Sequence, residues 1–293
     1  MESGTLAAHE TFRLSRVPSF RALAALFVLA LRQQIRGWRL VVLGLLFLLP
    51  GALAVVGYLT APPSFRGPSL AELHGSSPAE LLQFALLFYL IPHALAPLAA
   101  LLCSGGIIRD EVEEQTLTYL LLRPLARTAI YAVKLFASIL TAALLTSFFT
   151  VTTLLLIALL THESMRVELL RQGAMIVVIF SLAQVAYCGL FALLALLMRR
   201  ALLIGVVYII FFEGLLANFD TIAGHMTVMY YFRVLVLRWL EPVSGAVWKL
   251  DLKTAPGSAA CVLTLLGAGL LLTILGSLIF AAREFRMKTA EGE

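Results

Sequence analysis

Long apolar runs separated by short charged segments are the dominant pattern of this chain. Six runs reach or approach the roughly 20 residues of helix needed to cross a hydrocarbon core. They lie at about 39–59, 81–107, 132–160, 172–197, 201–218 and 259–282. Only Met198, Arg199 and Arg200 separate the fourth run from the fifth, which predicts a tight helical hairpin with a charged tip. Ahead of the first run, Phe20, Leu23, Phe27, Leu31, Ile35 and Trp38 recur at steps of three or four, with Arg21, Arg32, Gln33 and Arg36 largely on other faces. That spacing over 19–38 predicts an amphipathic helix lying in the inner interface with its arginines toward anionic headgroups, because charge at membrane depth is expensive.

The expected fold class is therefore all-α: a polytopic membrane protein with six transmembrane helices, an N-terminal interfacial amphipathic helix and a cytoplasmic coupling helix. The expected organisation is a cytoplasmic N-terminus with the interfacial helix over 1–38, a six-helix transmembrane domain over 39–282, and a cytoplasmic tail over 283–293. Within the transmembrane domain, a first internal loop spans 109–131 and a long external loop spans 219–258. The external loop contains MTVMYYFRVLVLRWLEP, whose apolar pattern is helical and whose aromatic residues suit a membrane–water boundary. One or two short helices dipping into the outer leaflet, or lying on it, are expected there.

Composition agrees with the pattern. Of 293 residues, 61% are hydrophobic and only 13% charged, too little charge to cover a soluble surface of this size. Mean hydropathy is +0.96. Placement of charge sets the orientation. With the N-terminus inside, internal segments hold 15 of the 22 Lys and Arg residues, which puts both termini in the cytoplasm. The first 17 residues contain no apolar core, so no cleavable signal peptide is expected. Cys103, Cys188 and Cys261 lie in or beside apolar runs at no metal or redox spacing and read as small buried hydrophobes.

Catalytic patterns are missing from the sequence. It contains no G-x-x-x-x-G-K-[ST] phosphate loop, no H-E-x-x-H and no G-x-S-x-G. The five histidines, at 9, 74, 93, 162 and 225, are scattered. No catalytic residue, bound cofactor, metal site or nucleic-acid partner is expected. His225, Met226 and Met229 invite a soft-metal reading, but such residues are common among interfacial aromatics without any ligand. Two ionisable groups fall at depth: His93 between Pro92 and Pro97 in the second run, and Glu213 in the fifth. Each reads first as a polar group satisfied inside the bundle. Both are also candidates for a translocation path. The prolines predict a kink whose freed carbonyls His93 could cap. Gly267, Gly269 and Gly276 in the last run could permit close helix packing.

The densest charge lies in RDEVEEQTLTYLLLRPLARTAIYAVK, residues 109–134. Arg109, Asp110, Glu111, Glu113 and Glu114 precede Thr116, Leu117, Tyr119 and the run Leu120, Leu121 and Leu122. Arg123, the helix-ending Pro124, Arg127 and Lys134 follow. This predicts a short amphipathic helix at the cytoplasmic face. Its leucines exceed what an isolated loop can bury, so a partner groove is their natural place, with the carboxylates pairing to basic residues.

These residues resemble the first internal loop of type-2 ATP-binding-cassette (ABC) permeases, which reads acidic–x–acidic–Gly–Thr–Leu, a leucine pair, Pro, x, x, Arg and a downstream Lys. Glu111, Glu113, Thr116, Leu117, Leu120, Leu121, Pro124, Arg127 and Lys134 match, while Gln115 stands in the glycine's place. The layout of interfacial helix, six spans and long last external loop is similar too. The resemblance implies a permease subunit of an exporter, with residues 109–127 docking a separate cytoplasmic ABC ATPase. ATP and Mg would be bound by that partner. It also implies pairing with a second permease protomer, identical or similar, a path between protomers, and a prokaryotic inner membrane. The alternatives are an ion-coupled carrier using Glu213 and His93, or a membrane assembly factor without an ATPase.

Overall fold

A computed structural model describes residues 20–60, 84–107, 126–159, 163–198, 200–218, 222–240, 248, 250 and 252–283. Among these residues every regular element is helical. Helix α1 spans Phe20–Arg36 and α2 spans Trp38–Thr60, with a break at Gly37. The next span winds as a π-helix over α3, Phe84–Leu95, and then as an α-helix over α4, Ala96–Ser104. Two long helices follow, α5 over Arg127–Leu159 and α6 over Glu163–Leu197. At 33 and 35 residues each is about 50 Å long, more than the roughly 30 Å of a hydrocarbon core. Helix α7, Ala201–Tyr208, runs on into a π-helical α8, Ile209–Leu215, and a short 3₁₀ turn, Leu216–Asn218. Two helices, α9 (Ile222–His225) and α10 (Val228–Leu240), precede the last, α11 (Ser258–Ala282).

Among the described residues, five helices are long and apolar enough to cross a membrane: Trp38–Gly57, Ala85–Ser104, Arg127–Leu159, Leu170–Leu197 and Ser258–Ala282. The run expected at 201–218 gives a shorter apolar helix, Ala201–Leu215. Burial separates centre from rim. Of the spans, α3–α4 and α6 are 72% and 61% buried, against 22% for α2 and 17% for α11. Helices α5 and α6 pack most extensively on each other, and α6 on α11. The core is apolar, with Leu87, Ile91, Tyr131, Phe180, Tyr187 and Phe191 almost wholly enclosed.

Several threonine hydroxyls inside the spans bond within their own helices: Thr141 to the Ala137 carbonyl, Thr146 to Ala142 and Thr153 to Phe149. No hydroxyl that bonds the preceding turn needs water at membrane depth.

Glycines of the last span do pack closely, and against this chain itself. A Cβ at Gly269 would stand 2.6 Å from Val185 Cγ1 and 3.0 Å from the Val185 carbonyl oxygen. Gly189 on α6 lies opposite, its Cβ position 3.2 Å from the Gly269 carbonyl. Gly276 is covered by the Tyr131 ring, while Gly267 faces open space.

Polar contacts gather one end of the bundle. Gln34 on α1 reaches Cys103 and Ser138, Lys134 reaches Ile107, and Arg283 donates to the Leu196 carbonyl. Gly105 lies beside Leu202. The ends of α1, α4, α6 and α11 and the starts of α5 and α7 therefore meet, bringing Arg32, Arg127, Lys134, Arg200 and Arg283 toward one end. Helix α10 and Trp248 belong to the opposite end.

Candidate functional site

The fifth apolar run changes winding at Ile209. A π-helix closes i→i+5 rather than i→i+4, so residues five apart align, and the Tyr208 hydroxyl donates to Glu213 Oε1 at 3.0 Å. Glu213 is completely buried. Its two oxygens also receive the first backbone N–H groups of α10, Val228 N at 3.3 Å and Met229 N at 3.0 Å. The carboxylate thus caps α10 from a different helix, satisfying orphan donors and meeting the positive end of the helix dipole.

One turn further along α10 stands Arg233, also buried. Nη1 donates to the Ala217 carbonyl at 2.7 Å, and Nη2 lies 2.7 Å from His93 Nε2. The guanidinium carbon sits 5.6 Å from the Trp248 ring centroid, in cation–π range. A guanidinium only donates, so His93 Nε2 must accept, and His93 Nδ1 then carries the proton that meets the Tyr89 carbonyl at 2.9 Å. The His93 ring also stacks on Tyr89 at 4.5 Å. His93 therefore bonds the Tyr89 carbonyl of the proline-containing π segment and ties that segment to α10 as well.

The two ionisable residues singled out from the sequence, 120 positions apart, are brought into one polar layer through α10. Sequence reasoning missed Arg233 and Tyr208. The signal available for Arg233 was an arginine among Phe232, Val234, Leu235 and Val236, which are all buried. It also missed Gln184, wholly buried in α6, whose amide donates to the Ala96 carbonyl at 3.0 Å and to Thr146 Oγ1 at 2.9 Å. That amide joins α6 to the π-to-α junction and to α5.

Helix α10 differs from an element resting on the outer leaflet. Met229, Phe232 through Leu237 and Leu240 are buried, and it packs on α6 and α11. The two polar anchors explain the difference: Glu213 and Arg233 fix it among the spans. Met226 is exposed while Met229 is buried.

Of the expected loop site, Arg127 begins α5 and is exposed. Arg109, Asp110, Glu111, Glu113, Glu114, Thr116, Leu117, Leu120, Leu121, Arg123 and Pro124 lie outside the described residues. The base of that loop is described. Lys134, buried, donates from Nζ to the Ile107 carbonyl at 3.3 Å, across the whole loop.

None of the curated proteins matches the chain. The family described as ABC-2 family transporter protein matches residues 38–216, from the first span through the π-helical segment that carries Glu213. With more than half of its length matched, and with a bundle of membrane-length apolar helices around it, the chain belongs to the ABC-2 transporter family of membrane proteins.

Proposed function

We propose that the protein is the membrane-spanning permease subunit of an ABC exporter, driven by ATP hydrolysed on a separate cytoplasmic ATPase. The observation that carries this reading is the family match over 38–216, with the acidic and leucine-rich loop inside it. In this reading α7 and α8, extended by the 3₁₀ turn, make the fifth of six crossings, shortened by their changes of winding. The basic end of the bundle faces the cytoplasm, so both termini lie there, and α1 lies in the inner interface. The exposed Arg21 and Arg32 support that placement, since they can reach anionic headgroups.

The coupling helix expected within residues 109–127 docks the ATPase in a groove-binding mode. Nucleotide binding biases the position of that helix and hence of the spans. A second protomer, identical or similar, completes the path. The largely unburied α2 and α11 supply apolar faces for that protomer or for lipid. The His93–Arg233–Glu213 layer borders the outer end of the path. ATP and Mg are held by the ATPase, and the membrane is a prokaryotic inner membrane.

Affinity capture of the detergent-solubilised chain from its host tests the proposal. Stoichiometric recovery of a Walker-motif ATPase, lost when Leu120→Asp places a charge on the apolar face, is the expected result. A chain that purifies alone in every detergent overturns it and returns the ion-coupled carrier, with Glu213 the first residue to change.

A further inference from the structure

The base of the 108–125 segment is closed by a hydrogen-bonded circuit of which the loop motif contains Lys134 alone. Gln34 lies on α1 at the spacing of Leu26 and Ala30, the two apolar residues that α1 buries. Periodicity calls for an apolar side chain there. Instead its amide nitrogen donates to the Cys103 carbonyl at 2.7 Å and to Ser138 Oγ at 2.9 Å. Ser138, wholly buried, passes its own proton to the Lys134 carbonyl at 3.2 Å. Lys134 Nζ returns to the Ile107 carbonyl.

Helix ends leave carbonyls without intrahelical donors. Helix α4 stops at Ser104, and the Ile107 N–H that would have served Cys103 bonds Ser104 instead. The two carbonyls leading into the loop, Cys103 and Ile107, are thus taken up by side chains of α1 and α5. Packing alone would be met by leucine at 34. Two directed donors add a fixed register between α1 and both ends of the loop.

We infer that Gln34 is a positioning residue that makes α1 move with the coupling loop. The inference rests on the reading of that loop as the ATPase-docking element. With the clamp intact, displacement of the loop ends carries α1 along as one body. Without it, the loop ends slide past an apolar helix face.

The test uses the full chain with its ATPase in lipid nanodiscs. Spin labels are placed at Arg32→Cys on α1 and Leu263→Cys at the far end of α11. Cys103, Cys188 and Cys261 are buried, which keeps background labelling low. Between the nucleotide-free state and the ATP–vanadate state, the label distance should change by on the order of 2 Å, the size of helix shifts at transmitting interfaces. Gln34→Leu should abolish most of that change while ATPase capture and ATP hydrolysis persist.

An undiminished change in Gln34→Leu overturns the inference, as does no change in the labelled parent. Loss of ATPase capture by Gln34→Leu also overturns it, because the residue would then be scaffold. If Gln34→Leu does not fold, Ser138→Ala removes one of the two acceptors. A diminished change there supports the clamp, and an undiminished one refutes it. Leu120→Asp is measured in parallel: retained capture of the ATPase sinks the docking reading whatever Gln34 does.

Discussion

Glu213 shows how a carboxylate can sit at membrane depth without a neighbouring cation as its main partner. Two backbone N–H groups and the Tyr208 hydroxyl converge on it. Removing it strands the donors of α10 in a dry interior. Glu213→Ala should therefore cost on the order of 3 kcal/mol, read as a lowered unfolding midpoint in detergent. A cost near zero would show that α10 does not need its cap. His93→Phe is a finer probe. The ring can still stack on Tyr89, but Arg233 loses an acceptor, so a loss of about 2 kcal/mol is expected. Equal stability of His93→Phe and the parent would refute the assigned tautomer and its role. The presence of two buried ionisable residues was legible in the sequence. What joins them was not: α10 bonds Glu213 through its first N–H groups and His93 through Arg233, and nothing in the local pattern says which way that helix faces.

At the scale of elements, the crossing of α6 and α11 depends on backbone contact at Gly189 and Gly269. Gly269→Leu forces the helices apart and should destabilise the bundle by about 2 kcal/mol or more through overpacking. Gly267→Leu, facing open space, should be close to neutral. The pair is compared by thermal unfolding, and equal effects would mean that the crossing is not close-packed. The proposed coupling loop is tested as an element too. Glu111→Lys with Glu113→Lys reverses charge on the segment proposed to dock the ATPase, and it should abolish capture of the ATPase while the chain still elutes as a folded species. Normal capture would remove those carboxylates from the interface. Periodicity marked α1 and the long spans plainly. The switch to i→i+5 winding in α3 and α8 was only half visible: Pro92 and Pro97 signalled a disturbed helix in the first, and no residue announced it in the second.

For the whole molecule, six crossings and five make opposite predictions about two sites. Arg200 ends the α6–α7 hairpin at the basic end, and Met226, 82% exposed, follows α9 beyond the fifth run. If residues 201–218 cross, Arg200→Cys and Met226→Cys react with a membrane-impermeant maleimide from opposite sides of sealed vesicles. Labelling of both from one side would leave five crossings and place the termini on opposite faces.

By itself the sequence determined the class of the molecule: an all-helical chain in which apolar runs of membrane length alternate with basic segments. Hydrophobic transfer and helix geometry act locally, so length and periodicity suffice to read them. The loop motif also pointed to the family, because a motif of that kind is written in neighbouring residues. Only the tertiary structure decided what the polar residues inside the bundle do. Glu213 became a cap for a helix that starts 15 residues later, His93 an acceptor for an arginine 140 positions away, and Gln34 a donor to carbonyl and hydroxyl partners 69 and 104 positions away. Each is fixed by which helices pack together. In an apolar interior a polar group is stable only where a partner from another helix reaches it, and no single segment contains that information.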